Sequence, residues 1–142
     1  MVMGIADPKT KLELGQMLKE RGGKFVSFVH PTALIWCRIK PEDGAVIGPY
    51  AVFCTEGLSG DFIHLGAGCY VGASAMINRG CTLHSNVAVT RSTHLNPGVE
   101  LGLSVVLGDG AQMGFFAKVD AGCVVFGEVP DGARVSRTYD GR

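Results

Sequence analysis

The chain has 142 residues, enough for one domain with a buried core. Its 13 basic and 13 acidic residues cancel, which argues against nucleic acid or an anionic membrane surface as the main partner. No apolar run approaches the roughly 18 residues that a membrane-spanning helix needs, and residues 1–11 lack the layout of a signal peptide.

The cysteines indicate a reducing compartment. They are odd in number and lack CxxC spacing, which predicts reduced thiols in a cytoplasmic protein and no zinc cluster. They are Cys37, Cys54, Cys69, Cys81 and Cys123.

The first element in chain order is a predicted helix. Asp7 is a favourable N-cap, Pro8 suits the first helical position, and the pair Gly22–Gly23 provides a stop. Its predicted apolar face consists of Leu14, Met17 and Leu18. The segment KFVSFVHP then predicts a strand that ends at Pro31.

From Ile35 onward the apolar residues recur every six positions without an insertion. Fourteen of sixteen such positions are apolar, with Pro41 and Ser59 as the exceptions. The series is Ile35, Pro41, Ile47, Phe53, Ser59, Leu65, Val71, Ile77, Leu83, Val89, Leu95, Leu101, Leu107, Met113, Val119 and Val125. The residue two positions earlier is usually small or aliphatic, and the next one is often glycine. Residues i and i−2 of a strand share a face, so each unit points two side chains inward, and stacked units bury a continuous core.

The hexapeptides VIGPYA, HLGAGC, YVGASA, ELGLSV and VLGDGA resemble those of the left-handed parallel β-helix acyltransferases. The resemblance implies triangular coils of eighteen residues, about five of them in this chain. The left-handed winding rests on the resemblance alone, because parallel crossovers ordinarily have the opposite hand. It also implies a homotrimer that binds acyl-CoA in grooves between neighbouring prisms.

A narrower resemblance covers the N-terminal segment. DPKTKLELGQMLKERGGKFVSFVHPTALI is similar to the junction in the sialic-acid O-acetyltransferase and bacillosamine N-acetyltransferase group, where a sugar-binding domain leads into the β-helix. We therefore expect a helix and strand that are a remnant of that junction over 1–32, the β-helix over 33–130 and a tail over 131–142. Most of the sugar-binding domain is missing, so the chain looks truncated relative to the group.

The segment LHSNVAVTRSTHLNPG carries the candidate catalytic residues. His94 matches the group's second histidine, which lies by the acyl thioester. The catalytic base of the group falls on Ser85, with His84 one position early. A histidine near pKa 6.5 can accept the proton of an attacking hydroxyl or amine.

Other placements of the histidines stay open. An alternative alignment puts His64 in the second-histidine position and Thr55 in the catalytic one, whereas His30 is expected to be structural. A whole face separates His84 from His94, roughly 15 Å at about 3.3 Å per residue. These two residues are expected to meet only across a trimer interface.

The resemblance also assigns the residues that bind acetyl-CoA. The pantetheine arm would run along the coils after His94, and a basic residue would meet the CoA phosphates. The candidates are Asn96, Gly102, Gly108, Gly114 and Lys118.

These observations predict a transferase that moves an acyl group, expected to be acetyl, from CoA to a hydroxyl or amine of a sugar or nucleotide sugar. The alternative is a non-catalytic trimeric scaffold or degenerate transferase, favoured by Ser85 and by the altered end, where SRTYDGR replaces the group's usual segment. The γ-class carbonic anhydrases share the fold, but their metal site needs a histidine spacing absent here, because no pair among His64, His84 and His94 lies 36 residues apart. No metal is expected.

Overall fold

The six-residue period produces a parallel β-solenoid behind one short helix. The structure is a computed structural model that describes residues 1–36, 40–55 and 57–142, so Cys37 lies outside the described residues. Helix α1 is Pro8–Glu20. The strands are β1 Phe28–Val29, β2 Leu34–Ile35, β3 Val46–Ile47, β4 Val52–Phe53, β5 Gly57–Ser59, β6 His64–Leu65, β7 Tyr70–Val71, β8 Met76–Asn78, β9 Thr82–Leu83, β10 Ala88–Val89, β11 His94–Leu95, β12 Glu100–Leu101, β13 Val106–Leu107, β14 Gln112–Met113, β15 Lys118–Val119, β16 Val124–Val129, β17 Arg134–Val135 and β18 Tyr139–Gly141.

The strands form three faces. The first face stacks β1, β3, β6, β9, β12, β15 and β17, the second stacks β2, β4, β7, β10, β13 and β16, and the third stacks β5, β8, β11 and β14. Pairing is parallel with a repeat of eighteen residues, as in His64↔Thr82 and Glu100↔Lys118. The predicted all-β fold, a left-handed parallel β-helix with a short N-terminal helix and strand, is confirmed, with about six coils instead of five.

The predicted inward series forms the core. Large apolar side chains from all three faces stack along the axis, and most of them are fully buried. Cys69, Cys81 and Cys123 occupy the smaller inward positions and are buried as well. Burial raises the pKa of Cys81 to about 12, so its thiol stays protonated. These cysteines are packing residues, as the pattern predicted.

Within the six-residue series, the register of the described strands changes at Ser59, one of the two exceptions. Beyond the series, the C-terminal strands pair at shorter offsets, as in Gln112↔Glu128 and Lys118↔Arg134. Leu58 pairs with Ile77 across nineteen residues and packs against the core, whereas Ser59 is exposed. The eighteen-residue offset is restored at Leu65, which pairs with Leu83. The expectation of an unbroken register was therefore wrong here: the inward role passes to the neighbouring leucine because serine fills the core poorly.

Helix α1 begins and ends as predicted, but its buried face differs. Asp7 accepts a hydrogen bond from the Thr10 amide, 2.9 Å away, as a helix N-cap does. Met17 is 40% exposed, and the buried positions are Pro8, Lys11 and Gly15. The predicted apolar face was therefore right at Leu18, which packs against buried apolar residues, and wrong at Met17.

The stack changes at its C-terminal end. Strand β16 continues from the second face into the third, with Gly127 at a positive φ between its two halves, and β18 pairs with its first half. Strand β17 adds to the first face beyond residue 130. The division at residues 32 and 130 stays a prediction, and within the described part of the chain no helix is long and apolar enough to cross a membrane.

Candidate active site

The predicted site residues separate into two groups on the solenoid surface. His84 lies at the corner between the first and second faces, and Lys118 lies on the first face. His94 lies on the third face, and Asn96 lies at the next corner. Their spacing predicted that the two histidines lie apart within one chain, and the structure separates them in this way.

The first group, the Glu100 cluster, consists of His84, Glu100 and Lys118. His84 Nε2 is 3.1 Å from Glu100 Oε1, and Lys118 Nζ is 3.5 Å from Glu100 Oε2. The Glu100 side chain is 18% exposed, whereas His84 remains 38% exposed. The carboxylate is thus sheltered between two basic groups while the imidazole reaches solvent.

The carboxylate fixes the orientation of the His84 ring. Because an ionised carboxylate only accepts hydrogen bonds, the Nε2–H group donates to it, which leaves the lone pair of Nδ1 free in the neutral ring. A histidine held by a carboxylate in this way is the usual arrangement of a general base. His84 can therefore accept a proton at Nδ1.

The second group, the Asn78 cluster, consists of Asn78, His94 and Asn96. Asn78 Nδ2 donates to the Leu95 carbonyl oxygen at 2.8 Å and lies 3.2 Å from His94 Nε2. An amide nitrogen only donates, so Nε2 accepts and the ring proton of neutral His94 lies on Nδ1. His94 therefore offers a hydrogen-bond donor, the opposite of His84.

Asn96 repeats the role of Asn78 one coil later. Its Nδ2 donates to the Met113 carbonyl oxygen at 2.9 Å, and the two asparagines lie eighteen residues apart at the same corner. Gly114 follows at this corner on the next coil. Asn96 and Gly114 also line a surface cavity of about 370 Å³ beside the third face.

The three predicted glycines lie at three different corners of one coil. Gly102 follows β12, Gly108 follows β13 and Gly114 follows β14. A Cβ atom at Gly102 would lie 2.7 Å from the Ala121 backbone nitrogen, and one at Gly114 would clash with the Asp131 backbone nitrogen. Each glycine permits the close approach of the next coil, and no single groove along one chain contains all three.

Ser85 and the alternative pair, Thr55 and His64, do not form a cluster of catalytic groups. Ser85 is half-buried beside His84, and its carbonyl oxygen accepts a hydrogen bond from the Ser104 amide at 3.0 Å. Thr55 is buried and donates to the Ala75 carbonyl oxygen at 2.7 Å. His64 lies on the first face, so the alternative pair also spans different parts of the surface.

Lys11 brings a buried amine from helix α1 onto the first face. It is 0% exposed, and its Nζ donates to Thr82 Oγ1 at 2.7 Å and to the Cys81 carbonyl oxygen at 3.3 Å. Burial lowers the pKa of Lys11 to about 7, although Cys81, Glu100 and Asp7 each act in the opposite direction. A neutral amine is therefore well populated near pH 7.

His64 lies on the strand next to Thr82, and its pKa is also strongly shifted. Burial lowers the pKa of His64 to about 4, Lys11 lowers it further, and a hydrogen bond with the Gly44 backbone opposes them. Its Nε2 atom is buried without a hydrogen-bond partner among the described residues. His64 is thus a neutral ring at physiological pH.

A cavity of about 510 Å³ lies between the start of helix α1 and the first face. Lys9 and Glu13 belong to its helical wall, and Glu100 and Lys118 to its solenoid wall. Phe116 adds an apolar surface. Glu100 and Lys118 therefore border an opening large enough for a small polar molecule.

Sequence reasoning missed Glu100, Asn78 and Lys11. The eighteen-residue repeat could have found the first two, because it places Glu100 beside Thr82, next to His84, and places Asn78 one coil before Asn96. No local signal indicates that Lys11 is buried, since its partners lie 70 and 71 residues away in sequence.

Comparisons with known proteins identify the fold. No protein-family model matches the chain, and no curated protein matches it. WeeI from Acinetobacter baumannii AYE is similar in structure, with a TM-score of 0.86 and 20% identity over 95% of this chain and 66% of that one.

Two mutants of the perosamine N-acetyltransferase from Caulobacter crescentus, each in complex with CoA and GDP-perosamine, are also similar. Their TM-scores are 0.57 and 0.53 at 22% and 23% identity, over 96% of this chain and 61% and 60% of theirs. At these identities the likeness shows a shared fold, and this chain spans less than two thirds of the length of the structures it matches.

Proposed function

We propose that the protein is an acyl-CoA-dependent transferase that acetylates a hydroxyl or amino group of a sugar or nucleotide sugar. The observation that carries this proposal is the exposed His84 ring held by the sheltered Glu100 carboxylate at 3.1 Å. The shared fold supports it, because two of the similar structures are an N-acetyltransferase in complex with CoA and GDP-perosamine.

His84 serves as the general base in this proposal. Its Nδ1 accepts the proton of the acceptor hydroxyl or amine as the acceptor's oxygen or nitrogen attacks the thioester carbonyl. The new C–O or C–N bond forms, the C–S bond breaks, and the imidazolium returns the proton to the departing CoA thiolate. Glu100 holds the ring and stabilises its positive charge during the transfer.

His94 serves as a hydrogen-bond donor to the thioester. The contact with Asn78 places the ring proton on Nδ1, so His94 can donate to the thioester oxygen as negative charge develops there. Asn96 and Gly114, at the adjoining corner, would line the path of the pantetheine arm. Acetyl-CoA is then a co-substrate, and no step requires a metal.

The two histidines would cooperate across subunits. They lie on different faces of one chain, so one site takes His84 from one protomer and His94 from its partner. The outward row of the second face supports self-association because it consists only of apolar residues. They are Leu34, Val52, Tyr70, Ala88, Val106 and Val124. We therefore propose a homotrimer.

The acceptor would occupy the cavity beside Glu100. This cavity combines the acidic side chains of Glu13 and Glu100, the basic side chains of Lys9 and Lys118 and the ring of Phe116. Such a lining suits a sugar that carries hydroxyl, amino and phosphate groups above an apolar ring face. Glu100, which lines this cavity, also holds the ring of the proposed base, His84.

The direct test is a transfer assay with acetyl-CoA and GDP-perosamine as the probe acceptor. We expect an acetylated product by mass spectrometry and release of free CoA thiol at the same rate. The variant His84→Asn keeps a polar side chain but loses the base, and it should lower kcat at least about a hundredfold. His30→Asn is the matched control, because His30 contacts Thr32 in the first coil and should leave the rate unchanged.

A scaffold without catalytic activity is the alternative, and Ser85 in the expected catalytic position favours it. A folded protein that neither binds acetyl-CoA nor releases CoA thiol with any amino-sugar acceptor would support the scaffold. Activity that is equal in His84→Asn and in the unmodified protein would overturn the assigned base while leaving the transferase in place.

A further inference from the structure

Helix α1 is attached to the solenoid by a small core of its own. Met3, Phe25 and Phe62 are its buried members, and Leu12 and Leu18 of the helix pack against them. This cluster is separate from the continuous core inside the coils. The Phe25 and Phe62 rings meet edge to face with centroids 4.8 Å apart. A segment held by so few apolar contacts can open while the rest of the molecule stays folded.

Two titratable groups lie together beneath this helix. The Lys11 side chain extends from α1 and donates a hydrogen bond to Thr82, and His64 lies on the adjacent strand in register with Thr82. His64 Nε2 is buried without a hydrogen-bond partner among the described residues. A proton added there would therefore create a buried charge beside the Lys11 amine.

The acidic groups around this pair already have partners. Asp43 and Asp61 lie 3.1 and 2.6 Å from Lys19 Nζ, and Asp7 caps the helix. Glu100 is shared between His84 and Lys118. The remaining neighbours are the Cys81 thiol, the Thr82 hydroxyl and the Gly44 backbone. None of these groups supplies a free negative charge to a protonated imidazole.

We propose that helix α1 is an acid-released wall of the 510 Å³ cavity, detached from the first face when His64 gains a proton beside Lys11. The coils stay folded because their core is independent of the helix. Release removes Lys9 and Glu13 from the cavity and leaves Glu100 and Lys118 open to solvent. This device does not depend on what the cavity binds.

The direction of the effect follows from proton linkage. His64 has a pKa of about 4 when the helix is docked and 6.5 when it is exposed, so the released form binds more protons between these values. The stability that neutral His64 gives to docking is present above pH 6.5 and is lost as the pH falls through 4. The pKa of Lys11 is about 7 when the helix is docked and 10.5 when the amine is exposed. Lys11 therefore lowers the stability of docking only as the pH falls from 10.5 to about 7, and it has no further effect at lower pH.

Hydrogen exchange of the full chain between pH 7 and pH 5 tests this device. Protection factors for residues 8–20 should fall about tenfold more than those for residues 82–113, by the linkage above. The variant His64→Gln does not titrate and should abolish this difference. His30→Gln is the matched control, and its helix should lose protection as in the unmodified protein.

Either of two results would overturn the proposal. Protection of residues 8–20 that falls in parallel with the strands would show that the helix is not released separately. Selective loss that persists in His64→Gln would assign the release to another group. If that variant fails to fold, an NMR titration of the His64 ring in the unmodified protein replaces it: a ring that titrates near 6.5 with the helix still protected excludes the mechanism.

Discussion

The first and second faces of the solenoid have similar inward rows of apolar side chains but differ in their outward rows. On the second face the outward residues are apolar throughout, from Leu34 to Val124. On the first face the outward row passes from Val46 through His64 and Thr82 to Glu100 and Lys118, and helix α1 covers its middle. The inward rows therefore determine the fold, whereas the outward rows determine what each face contacts.

The largest expected effect on stability comes from a substitution in the inward rows. Leu101→Ala removes a fully buried side chain from the middle of the stack and should lower the free energy of unfolding by about 2–5 kcal/mol. Gln112→Ala is the outward control and should change it by less than about 0.5 kcal/mol. Urea unfolding measures both, and equal losses would contradict the division between the rows.

Substitution of a corner glycine should have the second largest effect on stability. Gly102→Ala places a Cβ atom 2.7 Å from the Ala121 backbone nitrogen, so the next coil must shift. We expect a loss of about 1–3 kcal/mol in unfolding free energy. Gly110 is unsuitable as a control because its φ is positive, so Ser136→Ala, on the exposed C-terminal segment, serves instead. A neutral Gly102→Ala would show that the corner has room.

The apolar second face predicts an association defect. Val106→Lys places an ammonium group in the middle of the outward row and should weaken self-association at least about tenfold, which corresponds to about 1.4 kcal/mol. Ser136→Lys places the same group on the exposed C-terminal segment as a control. Analytical ultracentrifugation separates the outcomes, and a trimer unchanged by Val106→Lys would exclude this face as the interface.

The smallest expected effect concerns the helix that distinguishes the first face. Asp7→Ala removes the acceptor of the Thr10 amide and should cost about 1 kcal/mol of helix docking, whereas Asp7→Asn keeps the cap and should cost much less. Hydrogen exchange of residues 8–20 reports the change. Equal protection in Ala and Asn variants would show that the cap contributes little.

The sequence predicted the fold well because the inward rows obey one short period. Small, large and glycine positions repeat every six residues, so the β-helix, its faces and the buried Cys69 and Cys81 follow from local pattern. The register change at Leu58 and Ser59 escaped prediction, because both residues are compatible with a strand and only the stacked coil decides which one is inward.

The candidate site was less predictable because its contacts cross coils. The sequence indicates that His84 and His94 lie on different faces, but the ring orientations depend on Glu100 and Asn78, each sixteen residues from its histidine. The burial of Lys11 depends on how helix α1 packs on the solenoid, which no local pattern encodes. Residue types at short spacing predicted the candidates, and long-range packing decided their chemistry.

The central claim is that the outward rows form an acyl-CoA site, and isothermal titration of acetyl-CoA into the purified protein tests it most directly. We expect micromolar binding that weakens about tenfold in His94→Ala, because a hydrogen bond to the thioester is lost, and that is unchanged in His30→Ala. Absence of binding by the intact, associated protein would contradict the claim and favour a scaffold.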